Sequence, residues 1–230
     1  MGKVQFDFRD FSRVKVESTH SVTITSGDTY SITVETENPG NLNVEKIGNT
    51  LHVGLKRTGW LDFFTLSNRP HCIVTMPELD EIALSGASHG KVQGFKSDRD
   101  MFFRVSGASQ LEVYDMTTKT LHIDVSGASN LTGDITITED TDIKVSGASR
   151  VELTGNAGHT RIDLSGASQA KLNNLNLGDT NAKISGASSA QVKVNGKLDL
   201  NVSGASRLVY DGNISLGDVR VTGASSLTHR

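Results

Sequence analysis

The chain has 230 residues, 36% hydrophobic and 5% aromatic, with 23 glycines, three prolines and one cysteine. Such a composition favours thin layers of small side chains joined by frequent turns over a thick helical core. With 23 basic and 26 acidic residues and a net charge of −3, there is no electrostatic footprint for nucleic acid or an anionic membrane. No apolar run approaches the ~18 residues of a spanning helix, and the lone Cys72 excludes an intramolecular disulfide framework and a cysteine-rich zinc site.

No secretory leader pattern precedes the first strand-like residues after Met1-Gly2-Lys3-Val4. Residues 1–80 then alternate apolar and polar side chains in short runs: Val14-Val16, Val22-Ile24, Tyr30-Ile32-Val34 and Leu51-Val53-Leu55. Ser26-Gly27-Asp28, Asn38-Pro39-Gly40 and Gly48-Asn49 separate them as turns. An irregular β region that opens or caps the remainder of the chain is expected here, because an open sheet end invites edge pairing. The aromatic cluster Trp60, Phe63 and Phe64 breaks the pattern. It is expected to close over the end of the structure, with an exposed binding patch as the other reading.

Residues 81–230 are a repeat. Ser-Gly-Ala-Ser begins at Ser85, Ser106, Ser126, Ser146, Ser165, Ser185 and Ser203, and Thr222 opens an eighth copy, at spacings of 21, 20, 20, 19, 20, 18 and 19 residues. Apolar residues stand one and three positions before each copy, as in Val125 and Ile123, which is the strand period. A second alternating pair follows each corner (Leu111 and Val113; Val151 and Leu153), and a third short segment ends in a turn (Ile135 and Ile137; Leu175 and Leu177). Propeller blades are about twice this length, leucine-rich repeats need a Leu/Asn ladder, and helical repeats need a 3.6-residue period. Three short strands per ~20 residues define an all-β, three-sided parallel β-helix, and the preference of parallel crossovers makes it right-handed. The unit 81–230 and the region 1–80 are expected to form one continuous structure.

Each corner has an assigned role. Gly86, Gly107, Gly127, Gly147, Gly166, Gly186, Gly204 and Gly223 supply the sharp turn. Beside them Ala87 and its equivalents leave room for one methyl group. The hydroxyls, beginning with Ser85 and Ser88, hydrogen-bond corner backbone or one another up the stack. Parity puts the second hydroxyl inside, unless the glycine resets the alternation. Two positions before each copy, Arg104, Asp124, Lys144, Asp163 and Lys183 alternate in sign and should face outward as a pairing ladder.

The run Phe11-Ser12-Arg13-Val14-Lys15-Val16, the segment Met76-Pro77-Glu78-Leu79-Asp80-Glu81-Ile82 and the iterated Ser-Gly-Ala-Ser together resemble the putative auto-transporter adhesin head GIN domain family. The resemblance runs from about Phe11 to Leu227. It implies a right-handed parallel β-helix exported to the periplasm, outer membrane or surface of a Gram-negative bacterium, with an adhesin-like role and no catalytic residues assigned.

A polysaccharide-processing enzyme is the main alternative, since a β-helix can carry acid/base clusters on adjacent coils. Asp124, Lys144, Asp163 and Arg161 are its candidates. An alternating ladder neutralises itself, however, and no insertion long enough to wall a cleft follows Ser85. The seven histidines lack ligand spacing, and neither calcium-roll repeats nor an aligned Thr-x-Thr face is present. The sequence therefore points to a non-enzymatic, exported binding module without cofactor, metal, nucleic-acid partner or membrane span. Its expected partners are a glycan or an envelope or host-surface protein; a rigid structural spacer is the further alternative.

Overall fold

The computed structural model describes residues 2–18, 20–56 and 69–230. The opening segment forms β1 (Gly2–Phe6), β2 (Arg13–Val16), β3 (Ser21–Ser26), β4 (Ser31–Thr36), β5 (Leu42–Ile47), β6 (Thr50–Leu55) and β7 (His71–Met76), with a 3-10 turn at Pro39–Asn41. Beyond it the strands alternate between two sheets. The first sheet takes β8 (Glu81–Leu84), β10 (Asp100–Val105), β12 (Thr120–Val125), β14 (Asp140–Val145), β16 (His159–Leu164), β18 (Thr180–Ile184), β20 (Gly196–Val202) and β22 (Ile214–Val221). The second takes β9 (His89–Gln93), β11 (Gln110–Thr118), β13 (Asn130–Ile137), β15 (Arg150–Ala157), β17 (Gln169–Leu177), β19 (Ser189–Val194), β21 (Arg207–Asp211) and β23 (Ser226–His229).

Each coil pairs in parallel with the next, so the chain is a β-solenoid. The register is the one the repeat dictates: Phe103 lies against Ile123 and Ile123 against Ile143, while Leu111 lies against Leu131 and Leu131 against Val151. Val, Ile and Leu suit this pleat because their branched side chains fill stacked positions, and these inner columns are fully buried. In β11, β13, β15 and β17 the second and third segments of the coil form one continuous strand of a sheet that bends along its length, whereas Ile214 and Leu216 of the last coil lie in β22 of the first sheet. At the bend some strands gain a residue: Val113 faces Gly133 and Met116 faces Ile135, leaving Tyr114 and Asp115 opposite Asp134 alone.

The opening strands do not stack in chain order. In the first sheet β2 lies between β8 and β6, and in the second β3 lies between β9 and β7, all in parallel. The coil of β2 and β3 is therefore a layer inserted between two coils made later in the sequence. Outside it, β4 pairs antiparallel with β7 and β1 antiparallel with β4, while β5 pairs antiparallel with β6. This reversal gives the column an end whose layer differs from the repeat.

Candidate ligand-binding face

The corners are stacked as the repeat requires. Glycines 86, 107, 127, 147, 166, 186, 204 and 223 all have positive φ, between 73° and 80°. The amide of Ala128 donates to the carbonyl of Gly107 at 2.7 Å, Ala148 to Gly127 at 2.7 Å and Ala167 to Gly147 at 2.8 Å, a ladder one residue wide. A Cβ on Gly127 would come 2.4 Å from the Gly107 oxygen, so space as well as dihedral angle demands glycine. The first hydroxyl and the Gly-Ala pair form an outer ridge. The second serine turns inward: Ser88, Ser109, Ser129, Ser149, Ser168, Ser188 and Ser206 are buried. Ser88 Oγ lies 2.7 Å from the Ser18 carbonyl and 2.8 Å from that of Ser85, and Ser206 Oγ donates to Gly186 O at 3.2 Å. These side chains satisfy backbone, so the corner column is scaffold.

A ninth corner lies in the inserted coil. Ala87 N donates to Ser18 O at 3.1 Å and Ser85 N to Val16 O at 3.0 Å, which places Ser18 at the glycine position, with φ 74°. His20 takes the place of the buried serine: its Nδ1 sits 3.0 Å from Glu17 O, the contact that Ser88 Oγ makes with Ser85 O at 2.8 Å. Its Nε2 is buried and has no hydrogen-bond partner among the described residues. Burial lowers the imidazole pKa below its ordinary 6.5, against a smaller opposing effect of the Glu17 carbonyl.

The charged column of the first sheet is assembled in register, Arg104 against Asp124, Asp124 against Lys144 and Lys144 against Asp163. The ion pairs go elsewhere. Lys144 Nζ turns along its own strand to Asp142 at 3.1 Å, and Arg104 Nε reaches Glu81 at 3.0 Å. Side chains two apart on one strand compete with those on the next coil, and solvent leaves little energy to choose between them. Phe102 on this face is stacked on His122 at 4.7 Å between ring centres, with Arg104 5.8 Å over it. Trp60, Phe63 and Phe64 lie outside the described residues.

The bent second sheet carries the candidate site. At the Tyr114–Asp115 bulge, Asp115 holds φ 47° without being glycine, a conformation that costs energy and clusters at functional positions. The bulge brings Tyr114 out of the pleat, leaving it 44% exposed, while its carbonyl is held by the amide of Gly94 at 3.1 Å. The ring lies back along its strand, because Tyr114 Oη donates to Glu112 Oε2 at 2.8 Å. Gln110 Nε2 donates to the other carboxylate oxygen at 2.9 Å, and His89 Nε2 stands 3.8 Å from it. Lys91, directly across from Glu112 on β9, places Nζ 5.0 Å from the ring centre. The hydrogen bond to Glu112, reinforced by the carboxylate charge, raises the phenol pKa above its usual 10, so Tyr114 stays a donor.

The result is an aromatic surface held flat by a carboxylate and an ammonium, next to amide and imidazole groups. None of these residues stands out as a site in the sequence. Their one signal there is a break in the period of two: buried Leu111 and Val113 are followed by Met116 and Thr118, one residue late.

A column of parallel coils with glycine corners and a polar outer sheet defines a β-solenoid. Residues 10–213 match the family described as "Putative auto-transporter adhesin, head GIN domain", and the chain belongs to that family. Its fold is shared by several crystal structures. One is a "Putative lipid binding protein" from Parabacteroides distasonis, at TM-score 0.82 and 15% identity, covering 100% of this chain and 96% of that one. Another is a "putative adhesin" from Parabacteroides merdae, at TM-score 0.79 and 16% identity, with 100% and 95% covered. A third is a "putative adhesin" from Bacteroides fragilis, at 0.72 and 15%, with 99% and 96% covered. No curated protein sequence matches the chain. Among the described residues no helix is long and apolar enough to cross a membrane.

Proposed function

We propose that the protein is a non-enzymatic, exported binding module with an adhesin-like role, which contacts glycans at the bacterial envelope through the outer face of its bent sheet. The observation that carries this reading is Tyr114: a strained bulge presents an exposed ring, and Glu112 and Lys91 brace it. A tyrosine fixed in this way offers apolar area at low entropic cost, together with a polar edge. The apolar face of a sugar ring stacks on it, while Gln110, Glu112 and Lys91 meet the hydroxyls. Family membership and the adhesin names of the structural neighbours support the same role.

The test is binding of the purified protein to a panel of immobilised surface glycans, beside Tyr114→Ala and Glu112→Gln. Tyr114→Ala should weaken binding at least ~tenfold, the cost of losing a central aromatic contact, and Glu112→Gln by less. Equal binding by native protein and both folded variants would remove the site. The same panel tests the enzymatic alternative: turnover that disappears in Asp163→Asn would favour it.

A further inference from the structure

We propose that the C-terminal end of the column is a self-association surface on which two copies stack end to end about a two-fold axis. The last coil leaves core positions open: Leu216, Val219 and Val221 are 51%, 43% and 40% exposed, whereas Leu198, Leu200 and Val202, their partners one coil earlier, are 0%, 4% and 0% exposed. One further layer would bury them. Among the described residues both strands of this coil also have a free edge. Thr222 N donates to Val202 O, and Asp218 N to Asp199 Oδ1, so the alternation of a strand points the amides and carbonyls of Val219 and Val221 away from the column. In β23, Ser226 N and Arg230 N donate to Ser206 O and Tyr210 O, which leaves Leu227 and His229 on the outer edge.

A two-fold axis across the column makes such edges meet antiparallel. The molecule already closes its other end this way, with β4 on β7 and β5 on β6. Charge selects the register. Pairing β22 with its copy about Val219 lets the two valines exchange backbone hydrogen bonds and sets Asp218 opposite Arg220 of the second copy, twice. Centring on Arg220 would oppose two guanidinium groups, and centring on Val221 would set Arg220 against Thr222. Opposite charges directly across an antiparallel pair attract and like charges repel. Gly217 and Asp218 together face Asp199, and this bulge ends the regular pairing. A closed two-fold contact uses up both edges of this end, so association through it stops at two copies.

Sedimentation of the 230-residue protein tests this. The native chain should sediment at twice its chain mass. Arg220→Asp, which replaces two attractive pairs with two repulsive ones, should associate about tenfold more weakly, and Asp218→Arg combined with Arg220→Asp should restore the dimer. Arg220→Ser, which removes the attraction without reversing it, guards against misfolding of the reversal and should fall between. A monomer at every soluble concentration overturns the proposal. So does a dimer that none of these changes affects.

Discussion

At the corner of each coil the backbone enters the left-handed region beside the carbonyl of the coil before. Eight glycines do this freely, while Ser18 does it with a side chain. The left-handed form costs an L-residue about 1 kcal/mol or more. Ser18→Gly should therefore stabilise the protein by up to ~1 kcal/mol, raising the melting temperature by about 2–4 °C in a chain of this length. Gly147→Ala should lower it by more, because its Cβ would also come 2.4 Å from Gly127 O. Calorimetry of the two variants checks both signs. His20 adds a pH dependence. Burial lowers its pKa in the folded state, so on acidification the unfolded chain takes up a proton near pH 6.5 before the native state does. The native state is then fully favoured above pH 6.5 and loses stability as pH falls below it. His20→Asn, which keeps a donor near the Nδ1 position, should flatten the stability slope between pH 7 and 5 in urea titrations. An unchanged slope would assign the acid sensitivity to other groups.

The strands divide into those a repeat announces and those it does not. The eight corners, their inner apolar columns and the register were legible, because identical residues at a constant interval can only be satisfied by stacking. The ninth corner was not. Val14 and Val16 hold the right frame, but Ser18 stands 68 positions before Gly86, and the hydroxyl-glycine signature has become Glu17-Ser18-Thr19-His20. Tertiary hydrogen bonds, rather than residue identity, define that turn. The charge ladder was legible as a column and not as a set of ion pairs, since Lys144 has a closer choice in Asp142. Tyr114 is concealed in the sequence for a related reason. A bulge is a single extra residue, and its effect depends on where the neighbouring strand sends its own side chains.

For the whole molecule, the insertion of β2 and β3 between later coils makes the two ends unequal. Deleting residues 1–28 would remove an internal layer and leave β6 and β7 with no coil to reach β8 and β9. Deleting residues 212–230 would remove only the outermost coil. Circular dichroism should find the first truncation unfolded or aggregated, and the second folded with a lower melting temperature; a folded N-terminal deletion would contradict the interleaved order. The same arrangement decides how the protein resists pulling. A load on a tether at the N-terminus peels β1 from β4 strand by strand. It then meets a layer gripped on both sides, and the flanking coils must give way together before the anchor slips.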